Sequence, residues 1–217
     1  MRILHNAVWL VALPAVLHAQ EEKKEMPRFS SPDKKWEFRV TGETAALVKA
    51  DSEVTAVNLG EEIGYLATET GQLIWAPDSR RFAFNSRKGG RYYGCDLYEL
   101  AGDTWKKLPS IEENTKAAGE IIERAMRKQL KRLGAKPDAT LNMVMSKARV
   151  LRWLTNDIFE GYISEQRRIV VNKNDEDWEY LGSAVLFKGK CDNRGRWKIV
   201  STRELSDAEF EKLSAQD

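Results

Sequence analysis

Short runs in which apolar and polar residues alternate fill most of the chain. Residues 45–49 (AALVK), 54–59 (VTAVNL) and 63–67 (IGYLA) are short enough for single strands, and Gly60, Gly64 and Gly71 punctuate them. Residues 73–84 (LIWAPDSRRFAF) join two apolar runs through a Pro-Asp pair. Proline presets the first central position of a turn, and the aspartate side chain can bond its own backbone two residues on. The chain must corner there, and the alternation through Phe82 and Phe84 predicts a half-buried strand. The same device occurs earlier, where Ser31-Pro32-Asp33-Lys34-Lys35 leads into Trp36, Phe38 and Val40, and Pro32 and Pro77 stand 45 residues apart. A weaker third copy aligns Trp153 with Trp75 and puts Thr155-Asn156-Asp157 at the turn.

After the second copy, NSRKGGRYYGCDLYEL reads as a hairpin with Gly89-Gly90 as its turn and Tyr93, Cys95 and Leu97 on one face of the return strand. GDTWKKL adds one more short strand. The period then changes. Over 110–134, apolar residues fall at Ala118, Ile121, Ile122, Ala125, Met126, Leu130 and Leu133, the stripe of an amphipathic helix. Ser110 with Glu113 predicts a capping box at its start, and Gly134 and Pro137 predict its stop. Glutamates precede the basic residues along it, which complements the helix dipole. Strands are predicted again at about 147–154, 157–164, 168–172, 180–190 and 196–204, with a hairpin turn near Asn193–Gly195. Ser206 with Glu209 predicts a second capping box, opening a short C-terminal helix through about Leu213.

The first 19 residues, MRILHNAVWLVALPAVLHA, have one arginine, an apolar run from about Ala7 to Leu17 and a small residue at Ala19. This is the pattern of a secretory signal peptide, and the run is short for a membrane span of about 20 residues. An uncleaved anchor is the alternative. Residues 20–29 are charged, lack any period and read as a flexible leader. Residues 30–217 are then one β-rich domain, exported to a periplasmic or extracellular space, with no transmembrane segment in the mature chain. Loss of Arg2 would take 35 basic residues to 34 against 33 acidic ones, so no global field favours nucleic acid.

Histidine excludes more than any other residue type. Both histidines, His5 and His18, lie within the first 19 residues. A mature chain without histidine has no Ser-His-Asp or Cys-His machinery and no imidazole metal ligand. No motif calls for a cofactor or a metal. NKNDED at 172–177 lacks the ligand spacing and the glycine of a calcium loop. Ser31-x-x-Lys34 lacks the partner motifs of the penicillin-recognising acylases. Cys95 and Cys191 are not in a CxxC pair. An even pair in an oxidising compartment points to one disulfide, worth about 4 to 5 kcal/mol for so long a loop; two separate buried thiols are the alternative.

At WAPDSRRFAF and SPDKKWEF the sequence resembles the TolB-type and peptidase-type propeller repeat, whose blades carry a Ser-Pro-Asp-Gly/Ser-Lys/Arg turn before an apolar strand. GGRYYGCDLYEL is similar to the next hairpin of such a blade. The resemblance implies a mainly β fold of antiparallel sheets like propeller blades, with one inserted α-helix and a short C-terminal helix; the length allows three or four blades, and an incomplete propeller or a strongly bent antiparallel sheet is the alternative to a closed ring. It implies no activity. Arg87, Lys88, Arg91, Tyr92 and Tyr93 at the hairpin tip combine basic and aromatic side chains suited to a polar ligand contact, against the plainer reading of a solvated tip. The expected function is a non-catalytic exported binding or scaffold module with a protein or envelope partner. The alternatives are a histidine-free hydrolase using an Asp/Glu pair, of glycoside hydrolase type, and an inhibitor of a secreted enzyme.

Overall fold

The computed structural model describes residues 30–41, 44–60, 71–111, 115–135, 141–170 and 178–214. The signal peptide, the leader, the 63–67 strand, Glu113, Pro137 and NKNDED lie outside the described residues. The elements run β1 (Trp36–Thr41), β2 (Thr44–Lys49), β3 (Thr55–Asn58), β4 (Gln72–Trp75), β5 (Arg81–Gly89), β6 (Tyr92–Ala101) and β7 (Thr104–Lys107). Helix α1 (Lys116–Arg132) follows, then β8 (Leu141–Trp153), β9 (Ile158–Val170), β10 (Trp178–Cys191), β11 (Trp197–Glu204) and α2 (Asp207–Ser214).

The chain is mainly β. β1-β2-β3 form a three-stranded antiparallel sheet, and the other strands form a curled, eight-stranded mixed half-barrel in the order β11-β10-β9-β8-β6-β5-β4, with β7 beside β6. The expected propeller blades are not what forms. β4 to β7 do make a four-stranded antiparallel meander, as a blade does. Its edge does not stay closed, however, because β7 covers only residues 98–101 of β6. The uncovered stretch pairs in parallel with β8 through Tyr92↔Ser146 and Tyr93↔Lys147. That junction fuses the meander to the four later strands, so a ring of separate blades cannot be built.

The 45-residue repeat is nevertheless real as local structure. Lys34 N–H donates to Ser31 O at 2.9 Å and Ser79 N–H to Ala76 O at 3.0 Å, closing equivalent turns. Asp33 and Asp78 each accept the N–H two residues on, from Lys35 and Arg80. Lys34 and Ser79 both adopt the left-handed conformation, at φ 60° and 59°. Each turn then closes a hairpin, with Ser31 N–H bonded to Trp36 O and Ala76 N–H to Arg81 O. The two copies touch, since Asp33 N–H donates to Ser79 Oγ at 2.9 Å. The third copy differs: Leu154 and Thr155 N–H both converge on Ile158 O, closing an ordinary β8–β9 hairpin.

Two cores share the β5–β6 ribbon. Phe82, Phe84 and Tyr98 join Phe38, Leu47 and Trp105 in an aromatic core between the two sheets. The opposite face, with Ala83, Cys95 and Leu97, joins the core beneath α1. Burial on both faces explains why residues 82–86 are buried without alternation.

The helix is shorter than the 110–134 prediction and begins at Lys116, with Thr115 at its N-cap and no side-chain cap bond. The Ser110 box is therefore not the start. Its apolar stripe buries Ala118, Ile122, Ala125, Met126 and Leu130 against Phe159, Ile163, Leu181, Val185 and Phe187. Full burial of a side chain such as Ile122 contributes about 1.5–3 kcal/mol. The stop is as predicted at Gly134: with φ 67°, its N–H bonds Lys131 O and the Ala135 N–H bonds Leu130 O, a Schellman cap. Of residues 157–164 and 168–172, expected as two strands, 158–164 and 168–170 belong to the single long β9, and 171–172 lie outside the described residues. The second capping box forms as predicted, with Ser206 and Glu209 bonded reciprocally.

Candidate functional site

The hairpin tip forms, but its two-residue turn is Gly90-Arg91, since β5 runs to Gly89 and Gly89 pairs with Tyr92. Alternation along the strands then divides the five predicted residues. Arg87 faces Tyr93 across the ribbon, and Tyr93 faces Lys147 of β8. The Arg87 guanidinium lies 5.8 Å from the Tyr93 ring centre and Lys147 Nζ 5.5 Å from it, so one ring sits between two cations. The Arg87 guanidinium also donates to the carbonyls of Gly89 and Gly90, which fixes it across the tip.

Lys88 lies on the other face. Its Nζ is 2.6 Å from Asp96 Oδ2 and 5.7 Å from the Phe84 ring centre, and Lys107 Nζ is 2.8 Å from Asp96 Oδ1. Burial pushes the Asp96 carboxyl up, but the two ammonium groups outweigh it and hold it below its ordinary range. This triad ties β5, β6 and β7 together. Arg91 is exposed at the turn with its carbonyl accepting Ser146 N–H, and Tyr92 is half-buried. Arg87 and Tyr93 therefore belong to one surface, while Lys88 belongs to another.

Sequence reasoning missed the residues that extend the first surface. In β8, Ala148 and Val150 enter the core, so Lys147 and Arg149 alternate onto the opposite face. Lys147 pairs in register with Ser164 and Arg149 with Tyr162. That alternation is legible in KARV, but its meaning depends on β8 lying beside β6. Helix α2 lies over the same part of the sheet. Three clefts border it: one of about 240 Å³ lined by Gln129, Arg132, Gly182 and Phe210, one of about 330 Å³ lined by Gln72, Arg149, Tyr162 and Leu213, and one of about 170 Å³ lined by Lys147, Ser164, Gln166 and Phe210. A cleft of about 500 Å³ elsewhere is lined by Lys190, Cys191, Arg196 and Trp197.

The expected disulfide is not present. Cys95 and Cys191 are both buried, and no disulfide joins them. They lie on β6 and β10, with β8 and β9 between them in the sheet. Two strands intervene, so the cysteines are not the cross-strand neighbours that a bond spanning at most about 7 Å between Cα atoms would join most readily. Burial pushes the Cys191 thiol up to about 12, which disfavours the thiolate.

Among the described residues, the displaced carboxylates all move one way. In Asp33, Asp96 and Glu123 burial raises the pKa, and hydrogen bonds and nearby cations lower it further than burial raises it. In Asp157, Asp192 and Glu209 hydrogen bonds lead, and these too lie below the ordinary value. A general acid needs the opposite displacement. Among the described residues no cluster of three metal-ligating side chains occurs, and no helix is long and apolar enough to cross a membrane.

No protein-family model matches the chain, and no curated protein matches it.

Proposed function

We propose that the chain is an exported, non-catalytic binding module that engages an acidic segment of a protein or envelope partner. The observation that carries this reading is the cross-strand row Arg87–Tyr93–Lys147, with Arg149 one step along β8. An aromatic ring held between cations offers apolar area and positive charge at one place, and arginine and tyrosine are favoured anchors. The downward displacement of the paired carboxylates weighs against the Asp/Glu hydrolase reading, and export rests on the pattern of the first 19 residues.

The test is capture from the exported fraction on the immobilised mature chain, beside a Lys147→Glu/Arg149→Glu variant. A single stoichiometric partner that the double reversal releases, and that rising salt weakens, supports the module. A partner held equally well by both chains, or turnover on a panel of glycans, overturns it.

A further inference from the structure

Helix α2 is held to the sheet by little. Its cap is solvent-exposed: Ser206 N–H and Oγ each lie 2.9 Å from Glu209 Oε2, and Arg203 Nη1 adds a bond at 3.0 Å. Of its described side chains only Phe210 and Leu213 are half-buried, and Asp207, Ala208, Glu209, Glu211 and Lys212 are exposed. The Phe210 ring rests on Gly182 of β10, where an added Cβ would sit 2.4 Å from the ring. The glycine is what lets an aromatic side chain reach the sheet.

The surface beneath is more finished than its cover. Gly182 and Ala184 share one face of β10, and the register places Gln166, Ser164 and Tyr162 of β9 beside them on that face. Ala184, Ser164 and Tyr162 are 0%, 5% and 1% exposed, close to core values. Clefts border the helix at both Phe210 and Leu213, so α2 occupies a groove wider than itself. The groove's rim is cationic, with Lys128, Arg132, Lys147 and Arg149 against Glu165 and Glu204. The helix seated there is acidic, with Asp207, Glu209 and Glu211 against Lys212.

We infer that α2 fills in cis a groove that receives an acidic amphipathic helical segment of the partner, one with an aromatic and an aliphatic residue three apart, as Phe210 and Leu213 are. This rests on the binding-module reading and names the partner's chemistry. The cis helix acts as a competitor. A ligand reaches the groove only in the fraction of molecules whose α2 is lifted, and its apparent affinity falls by that fraction.

The probe is a labelled peptide copying residues 206–217, titrated by fluorescence anisotropy against the full chain and against its Phe210→Asp variant. The variant should bind the peptide at least tenfold more tightly than the unaltered chain. Raising ionic strength from about 0.1 to about 1 M, which shortens the screening length from about 10 to about 3 Å, should weaken binding. Adding Lys147→Glu and Arg149→Glu should abolish the gain. Should Phe210→Asp fail to fold, Ser206→Ala/Glu209→Gln opens the exposed cap while leaving the sheet residues Gly182, Ser164, Lys147 and Arg149 unaltered, and carries the same expectation. Equal binding to a folded variant and to the unaltered chain overturns the groove, even if a partner is captured from the exported fraction. Peptide exchange with no captured partner supports the groove and overturns only the broader reading.

Discussion

Asn85 sits on β5 with 1% of its surface exposed, and its amide bonds to the backbone of one residue twice. Nδ2 donates to Val150 O at 2.8 Å, and Oδ1 accepts Val150 N–H at 3.0 Å. The N–H and C=O of a strand residue point the same way, so the amide copies the edge of a neighbouring strand. It is needed because the β6–β8 pairing stops at Tyr93↔Lys147, before β8 reaches Val150. Asn85→Ala removes two bonds worth about 1 kcal/mol each and leaves both backbone groups unpaired in the core, at about 1–3 kcal/mol per group. Taking these as overlapping measures of one loss, the expected destabilisation is about 2–5 kcal/mol. For a domain of this size that lowers the thermal midpoint by roughly 5–20 °C. Equilibrium urea unfolding of both chains, followed by tryptophan fluorescence, measures it. Asn85→Asp should keep the acceptor but set a carboxylate against Val150 O. Its folded pKa would then be raised above the unfolded value of about 3.9, so its stability is greatest in acid and falls as pH rises through that window. A loss below about 0.5 kcal/mol for Asn85→Ala would refute the claim that this amide replaces a missing strand.

Intact-mass measurement should show no two-dalton gain on reduction, and a thiol reagent should label Cys95 and Cys191 only after unfolding; a gain of two would mean that the cysteines are bonded. Glu209 is held down to about 2 from its ordinary 4.5, chiefly by Arg203 and Ser206. Its contribution is present above about 4.5 and lost as pH falls towards 2, so the protection factor of the Phe210 amide, measured against the intrinsic exchange rate at each pH, should fall across that interval while α1 stays protected; a protection factor that is flat with pH would contradict the cap. Gly161→Ala should destabilise strongly, because its Cβ would meet Arg149 O at 2.6 Å, a backbone atom in the middle of the sheet, whereas Gly182→Ala meets only the movable Phe210 ring and should loosen α2 alone. Equal losses in urea unfolding would contradict that distinction. Arg167 reaches both Glu123 of α1, at 2.9 Å, and Glu165, at 2.6 Å. Arg167→Met should cost about 1–3 kcal/mol by leaving both half-exposed carboxylates without it, and recovery in an added Glu123→Gln background would confirm the pairing.

Local periodicity decided a great deal by itself. The β2 and β3 strands, the β5–β6 hairpin, the apolar stripe of α1 with its glycine stop, the Ser206–Glu209 box and the equivalence of the two Pro-Asp turns all follow from residues within a few positions of one another. Such features depend on backbone preferences and on the alternation of neighbouring side chains, which the chain carries wherever it is placed. Tertiary structure decided the rest. The repeat pointed to blades, but a blade is defined by what its edge strand leaves unpaired, and β8 taking the free half of β6 is a contact between residues more than fifty positions apart. The same contact brought Lys147 beside Tyr93, set β8 and β9 between β6 and β10, and made Asn85 necessary. Pairing between distant strands is settled by the closure of a whole sheet around its core, and a local pattern contains no term for that.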